Sequence, residues 1–163
     1  MVKLLFRQKI FAFFRSYDVY NEAEETLFTV KGKFDLGCKL HIYGANGVEQ
    51  GLIMSKILSF FPVYEIYRGN DQAGYNKIGE IRYKFSLFKT NFEVDFKGWQ
   101  VEGDWLAWDF VVKDKDERTV AVISKEHFHF SDTYSVEVDD SQDLFDVVAV
   151  ITVADLLHDG KHD

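Results

Sequence analysis

The chain has one cysteine and one proline in 163 residues. A lone Cys38 cannot form an internal disulfide, which excludes the stapled scaffolds of small secreted proteins and fits a reducing compartment. Its expected role is that of a small buried hydrophobe. The low proline content and the lack of any low-complexity tract argue against intrinsic disorder. Long apolar runs are missing from the N-terminus. Lys3, Arg7, Lys9 and Arg15 break it, and the longest uncharged stretch there is Ile10–Phe14. No secretory signal fits that pattern. Positive charge is scarce, with 19 basic against 27 acidic residues and a net charge of −8. A general nucleic-acid binder needs the opposite balance. No phosphate-cradling glycine loop or nucleophile elbow is present, and Gly44–Gly47 reads as a turn.

What the chain has in quantity is aromatic residues: 16 Phe, 8 Tyr and 3 Trp. These favour strands. Short runs alternate with period two: Phe92, Val94 and Phe96 against Glu93 and Asp95, or Leu40 and Ile42 against Lys39, His41 and Tyr43. Side chains on a strand point to opposite faces in turn, so this is the pattern of half-buried strands. Turn residues at 21–25, 44–47, 69–74, 97–98 and 114–117 separate the runs. The Asn46-Gly47 pair is a hairpin cue, because both residues tolerate positive φ. About twelve strands are expected, near 2–6, 10–14, 16–20, 26–33, 38–43, 48–56, 63–68, 77–85, 91–96, 99–104, 107–113 and 118–125. A thirteenth run at 133–138 leaves room for one early pair to be a single bent strand.

Three segments share an aliphatic-x-x-Lys core: Ile53–Lys56, Ile81–Lys84 and Val122–Lys125. Aromatics follow each: Phe60 and Tyr64, Phe88 and Phe92, Phe130 and Tyr134. A repeated hairpin unit is expected, in which a strand ends near the lysine and the next begins near the second aromatic.

The C-terminus differs. Between Leu144 and Leu157 only Asp146, Thr152 and Asp155 interrupt apolar residues. The run exceeds most strands and, as a helix of about 21 Å, is too short for a ~30 Å hydrocarbon core. A helix is expected over Ser141–His158, with Asp140 as its N-cap, despite four β-branched valines. A helix apolar all round must sit inside the protein.

Several motifs taken together carry a family resemblance. Ser16–Tyr20 and Thr29–Gly32 are followed by Gly98–Asp104 and Trp108–Phe110, then by Ala121–Glu126 and Asp132–Tyr134, and an apolar terminal helix ends the series. In this order the motifs resemble the LURP-one-related (YxjI-like) family of the tubby C-terminal-like superfamily, distantly similar to phospholipid scramblases. The resemblance spans nearly the whole chain, 1–163, as a single domain. It implies a mainly β fold: a twelve-stranded antiparallel barrel around a central hydrophobic C-terminal helix. Tubby domains bind phosphoinositides, and the resemblance carries no catalytic residues.

Motifs that could hold chemistry have simpler readings. His127-Phe128-His129 offers only half of a metal site. Asp114, Asp116 and Glu117 resemble the start of a calcium loop, but Thr119 and Lys125 stand where glycine and a closing acid are needed. Asp139, Asp140 and Asp143 suit helix capping. Glu102, Asp104 and Asp109 lie among three tryptophans, yet Glu102 and Asp104 share a strand face, with a bulge or close backbone approach expected at Gly103.

Charge is uneven. Residues 1–100 carry 14 basic and 11 acidic side chains, residues 101–163 carry 5 and 16. The leading expectation is a non-catalytic cytoplasmic binding module, peripheral at a membrane, that engages anionic lipid headgroups or a membrane-associated protein partner. Lys3, Arg7, Lys9, Arg15, Lys31, Lys33 and Lys39 are its expected basic face. The alternative, which the net charge favours, is a protein-interaction or regulatory scaffold without a lipid ligand. No catalytic residue, metal, cofactor, nucleic acid or transmembrane segment is expected.

Overall fold

The structure, a computed structural model, describes residues 1–8, 16–35, 37–56, 60–85, 90–95, 97–125 and 133–159. Twelve strands and one long helix follow one another: β1 (Val2–Gln8), β2 (Ser16–Tyr20), β3 (Thr26–Asp35), β4 (Gly37–Gly44), β5 (Glu49–Ser55), β6 (Val63–Asn70), β7 (Gly74–Phe85), β8 (Thr90–Asp95), β9 (Gln100–Asp104), β10 (Asp109–Lys113), β11 (Thr119–Lys125), β12 (Thr133–Val138) and α1 (Leu144–Asp159). The run expected at 10–14 lies outside the described residues, and 133–138 is the twelfth strand.

All strand pairings are antiparallel, in the order β8-β7-β6-β5-β4-β3-β2-β1-β12-β11-β10-β9. The sheet curls into a nearly closed barrel whose seam lies between β8 and β9. Inward positions alternate as the period-two pattern requires: Leu4 and Phe6, Val19, Val30, Leu40 and Ile42 are buried. They pack on α1, whose side chains from Phe145 to Leu157 are all buried. A helix without a polar face has no other stable place in water.

The helix begins at Leu144, three residues later than the sequence suggests, and its cap is Asp143 rather than Asp140. The Asp143 carboxylate accepts the Phe145 N–H at 3.0 Å, the geometry of an N-cap. Asp140 instead meets the Met1 ammonium at 3.2 Å. The extra residues form a polar turn in which Asp139 accepts the N–H and hydroxyl of Ser141.

Two acids lie buried on the helix, and each has a partner from outside it, one in the β8–β9 connection and one on β12. Asp146, near the N-terminal end, binds the Lys97 ammonium. Asp155, near the other end, accepts the Tyr134 hydroxyl at 3.3 Å. Tyr134 in turn stacks on Trp108 with ring centroids 4.2 Å apart.

The Asn46-Gly47 hairpin forms, with a different turn. Only Gly47 takes positive φ (77°), the loop closes between Gly44 and Val48, and the β4–β5 register slips at Ile42/Tyr43. This is a three-residue loop with a bulge. Gly103 is the expected close approach. At φ 115° a Cβ there would sit 2.7 Å from the Asp109 carbonyl oxygen.

The repeated unit is present in three hairpins, β5–β6, β7–β8 and β11–β12. Each pairs two aliphatic residues thirteen apart: Ile53 with Ile66, Ile81 with Val94, Ile123 with Val136. In the third hairpin the paired residue is one position nearer the lysine. That slip gives Lys125 the opposite strand parity from Lys56 and Lys84.

Strand directions place the connections 21–25, 45–48, 71–73, 97–99, 114–118 and 139–143 at one end of the barrel. They carry ten acidic residues and three basic ones. The N-terminus of α1 lies at this end, and β3–β4 and β5–β6 turn at the other.

Candidate functional site

Of the seven cations proposed from sequence, Lys3 and Arg7 lie on β1 and Lys31, Lys33 and Lys39 on the β3–β4 hairpin. Lys9 and Arg15 lie outside the described residues. Lys3 stands opposite Glu137 in the β1–β12 register, near the acidic end. Arg7 stands opposite Asp18, reaches Glu24 at 3.5 Å and lies over the Tyr20 ring at 5.0 Å. Both face local counter-charges, so neither adds much to a free cationic surface.

Lys31, Lys33 and Lys39 do come together. The β3–β4 register sets Lys33 directly opposite Lys39, with Lys31 opposite His41 on a neighbouring row. Lys31 is exposed and lies 5.6 Å over the Tyr43 ring. On the next strand Met54 stands opposite Lys39, and the Cys38 N–H donates to the Ser55 hydroxyl at 3.0 Å. Just past Ser55 comes Lys56, whose N–H donates to the Val63 carbonyl at 2.8 Å and closes the base of the β5–β6 connection. In the sequence Lys56 stands out only as part of the repeat. Its place beside Lys39 depends on two hairpin registers that spacing alone does not reveal.

Beyond this corner the outer face of β6 and β7 carries a tight ion network. Glu65 and Glu80 are opposite one another, and Lys77 bridges them at 2.8 and 2.5 Å. Arg82 donates twice to Glu80, at 2.6 and 3.0 Å, and Lys56 stands 3.7 Å away. Hydrogen bonds from Lys77 and then Arg82 pull the Glu80 carboxyl down to about 2. After discounting for the solvent around Lys77 and Arg82, this pairing contributes about 1–2 kcal/mol. The carboxyl is held below its unfolded value of 4.5, so the contribution is complete above that pH and is lost as the pH falls through about 2. Glu80→Gln is therefore expected to lower the urea midpoint at neutral pH and to match the wild type near pH 2 (about the folded value). A difference that persists undiminished in acid would assign the loss to packing.

A second polar group joins β4, β5 and β7. His41 Nδ1 and Glu49 Oε1 are 2.5 Å apart, and the Tyr75 hydroxyl lies 2.9 Å from Glu49 and 3.0 Å from Asp71. Burial, then the hydrogen bond to Glu49, holds the Tyr75 phenol well above its usual range. It stays protonated and acts as a clamp rather than a base. The sequence hides this group because its members come from different elements.

The acids singled out earlier are occupied structurally. Asp114 accepts the Asp116 and Arg118 N–H groups at 2.8 and 3.0 Å. Glu102 pairs with Lys113 at 2.7 Å, and Asp104 caps the short 3₁₀ turn Trp105–Ala107 through the Ala107 N–H. His127 and His129 lie outside the described residues. Among the described residues no three His, Cys, Asp or Glu side chains cluster to hold a metal, and no helix is long and apolar enough to cross a membrane.

Comparison with known proteins agrees with this architecture. A crystal structure of a protein from Arabidopsis thaliana superposes with a TM-score of 0.71 over 96% of this chain and 90% of that one, at 16% identity. The uncharacterised protein YxjI of Bacillus subtilis (strain 168) is 27% identical over 158 residues, 96% of this chain and 94% of its own length. The family model described as LURP-one-related matches residues 2–155. With its twelve-stranded wall, enclosed helix and motif order, the chain belongs to the LURP-one-related family.

Proposed function

We propose that this protein is a non-catalytic, cytoplasmic binding module that engages anionic phospholipid headgroups at the β3–β4 corner and works at the periphery of a membrane. The observation that carries this reading is the Lys33–Lys39 cross-strand pair, flanked by Lys31. Three lysines on one hairpin suit a phosphate, whose several acceptor oxygens can take charge-assisted hydrogen bonds from ammonium donors. The enclosed helix supports a binding role, because it occupies the volume in which a barrel would otherwise hold a small substrate. The lone Cys38 fits a reducing compartment.

Basic residues at an anionic bilayer contribute roughly 1 kcal/mol each and act within a Debye length of about 8–10 Å. The three lysines of this corner together with Lys56 give only about millimolar affinity. Binding is thus expected to be weak and salt-sensitive on vesicles of phosphatidylcholine with a phosphoinositide or cardiolipin. Lys33→Glu with Lys39→Glu should reduce low-salt sedimentation at least about tenfold. Binding indifferent to salt and to both substitutions, or none at low salt, would favour the second reading, a protein-interaction scaffold. The net charge of −8 supports that alternative.

A further inference from the structure

We infer that Phe60 and Phe61 form an aromatic anchor that enters the interfacial layer of an anionic bilayer, with the neighbouring lysines at headgroup level. The inference rests on the lipid reading above and adds the part of the surface that inserts. Phe60 is fully exposed, Phe61 is more than half exposed, and both precede the exposed Pro62. Two adjacent aromatics held in water have no structural use in a barrel whose core is already filled by α1. Exposed single apolar residues are ordinary, but an adjacent aromatic pair in a connection is what interfacial anchoring uses.

Three further observations point to a charged bilayer as the occupant. First, the pair is next to cations. Lys56 lies four residues before Phe60, is about half exposed (52%) and has its N–H tied to Val63 at the base of the same connection. Lys39 lies one strand away, opposite Met54. Second, nearby acids on the β6–β7 face are already neutralised, since Glu65 and Glu80 are held by Lys77 and Arg82. Third, the ten acids and three bases in the connections of the opposite end give the barrel an electrical polarity. Over an anionic surface that polarity turns the acidic end outward and presents the β5–β6 connection. Pro62 helps in a different way: it has no N–H, so one fewer backbone donor loses its water on insertion.

The test uses the full chain on vesicles of phosphatidylcholine with cardiolipin, beside pure phosphatidylcholine. Phe60→Ala with Phe61→Ala should lower the partition coefficient at least about tenfold and shift the melting curve little, since Phe60 is fully and Phe61 more than half exposed. Phe60→Trp should show blue-shifted emission on the mixed vesicles and quenching by brominated lipid, over the background of the buried Trp99, Trp105 and Trp108. A double-alanine variant that partitions like the wild type would overturn the anchor while leaving lysine-dependent binding in place. So would emission from the Phe60→Trp variant that brominated lipid leaves unquenched. Absence of wild-type binding to either vesicle would overturn both readings. Concentration-dependent dimerisation that the double-alanine variant abolishes, without vesicle binding, would assign the pair to a second copy of the chain and overturn the bilayer.

Discussion

Ile151→Asp is expected to yield no folded protein. Ile151 lies at the middle of α1 and is completely buried. An ionised carboxylate there loses its water and costs several kcal/mol, comparable with the whole stability of about 5–15 kcal/mol expected for a domain. The native helix shows what makes an acid tolerable in this setting. Asp146 is bound by Lys97 and Asp155 by the Tyr134 hydroxyl, one near each end of the helix. Between them the helix offers apolar side chains and Thr152, whose hydroxyl is already committed to the Val148 carbonyl at 2.7 Å. Ile151→Val keeps the site apolar and should lose only about 1 kcal/mol. A soluble Ile151→Asp protein with native near-ultraviolet circular dichroism and melting temperature would show that α1 is peripheral.

Gly51→Ala should also destabilise strongly, by about 2–3 kcal/mol, because overpacking at this site cannot relax. A Cβ at position 51 would overlap the Tyr67 carbonyl of the adjacent strand and the Phe145 ring of α1. The carbonyl belongs to a strand paired on both sides. The ring is capped by the Arg68 guanidinium, 4.2 Å from its centroid, and Arg68 also reaches the capping Asp143 at 3.5 Å. For a chain of this size the melting temperature should fall by roughly 5–10 °C. Combining it with Phe145→Leu should cost less than the two separate losses by at least about 0.5 kcal/mol. Strict additivity in that double-mutant cycle would place the strain elsewhere.

These two residues show which parts of the fold the sequence makes legible. Ile151 is readable because an all-round apolar helix too short for a bilayer has only the interior to occupy. The strands are readable where one face is wet, as in β10, since burial then imposes the alternation. Gly51 is not readable: its need for space comes from a ring ninety-four residues away in the chain. The cap shifts from Asp140 to Asp143 for a comparable reason. Several acids compete there, and Met1, distant in sequence but near in space, takes Asp140.

The candidate site is partly legible. Lys31, Lys33 and Lys39 converge because a single hairpin joins them, and one hairpin register is short-range information. Lys3 and Arg7 look equivalent to them in the sequence, yet strands β12 and β2 supply Glu137 and Asp18 opposite them. Lys56 and the Phe60–Phe61 pair gain meaning only when β5 is laid beside β4 and both rings are seen to be exposed.

The pairing of β1 with β12 has a kinetic consequence. Val2 joins Val138 and Arg7 joins Thr133, so the wall is completed by contacts between residues more than a hundred positions apart. The helix that fills the wall follows both of them in the chain. Loop-closure entropy must therefore be met before these contacts can repay it, which places the chain among slow-folding, high-contact-order topologies. During synthesis the first eleven strands have neither their closing partner nor their core. Their inward aromatics remain wet until β12 and α1 arrive, so the nascent protein is most open to aggregation just before α1 is released.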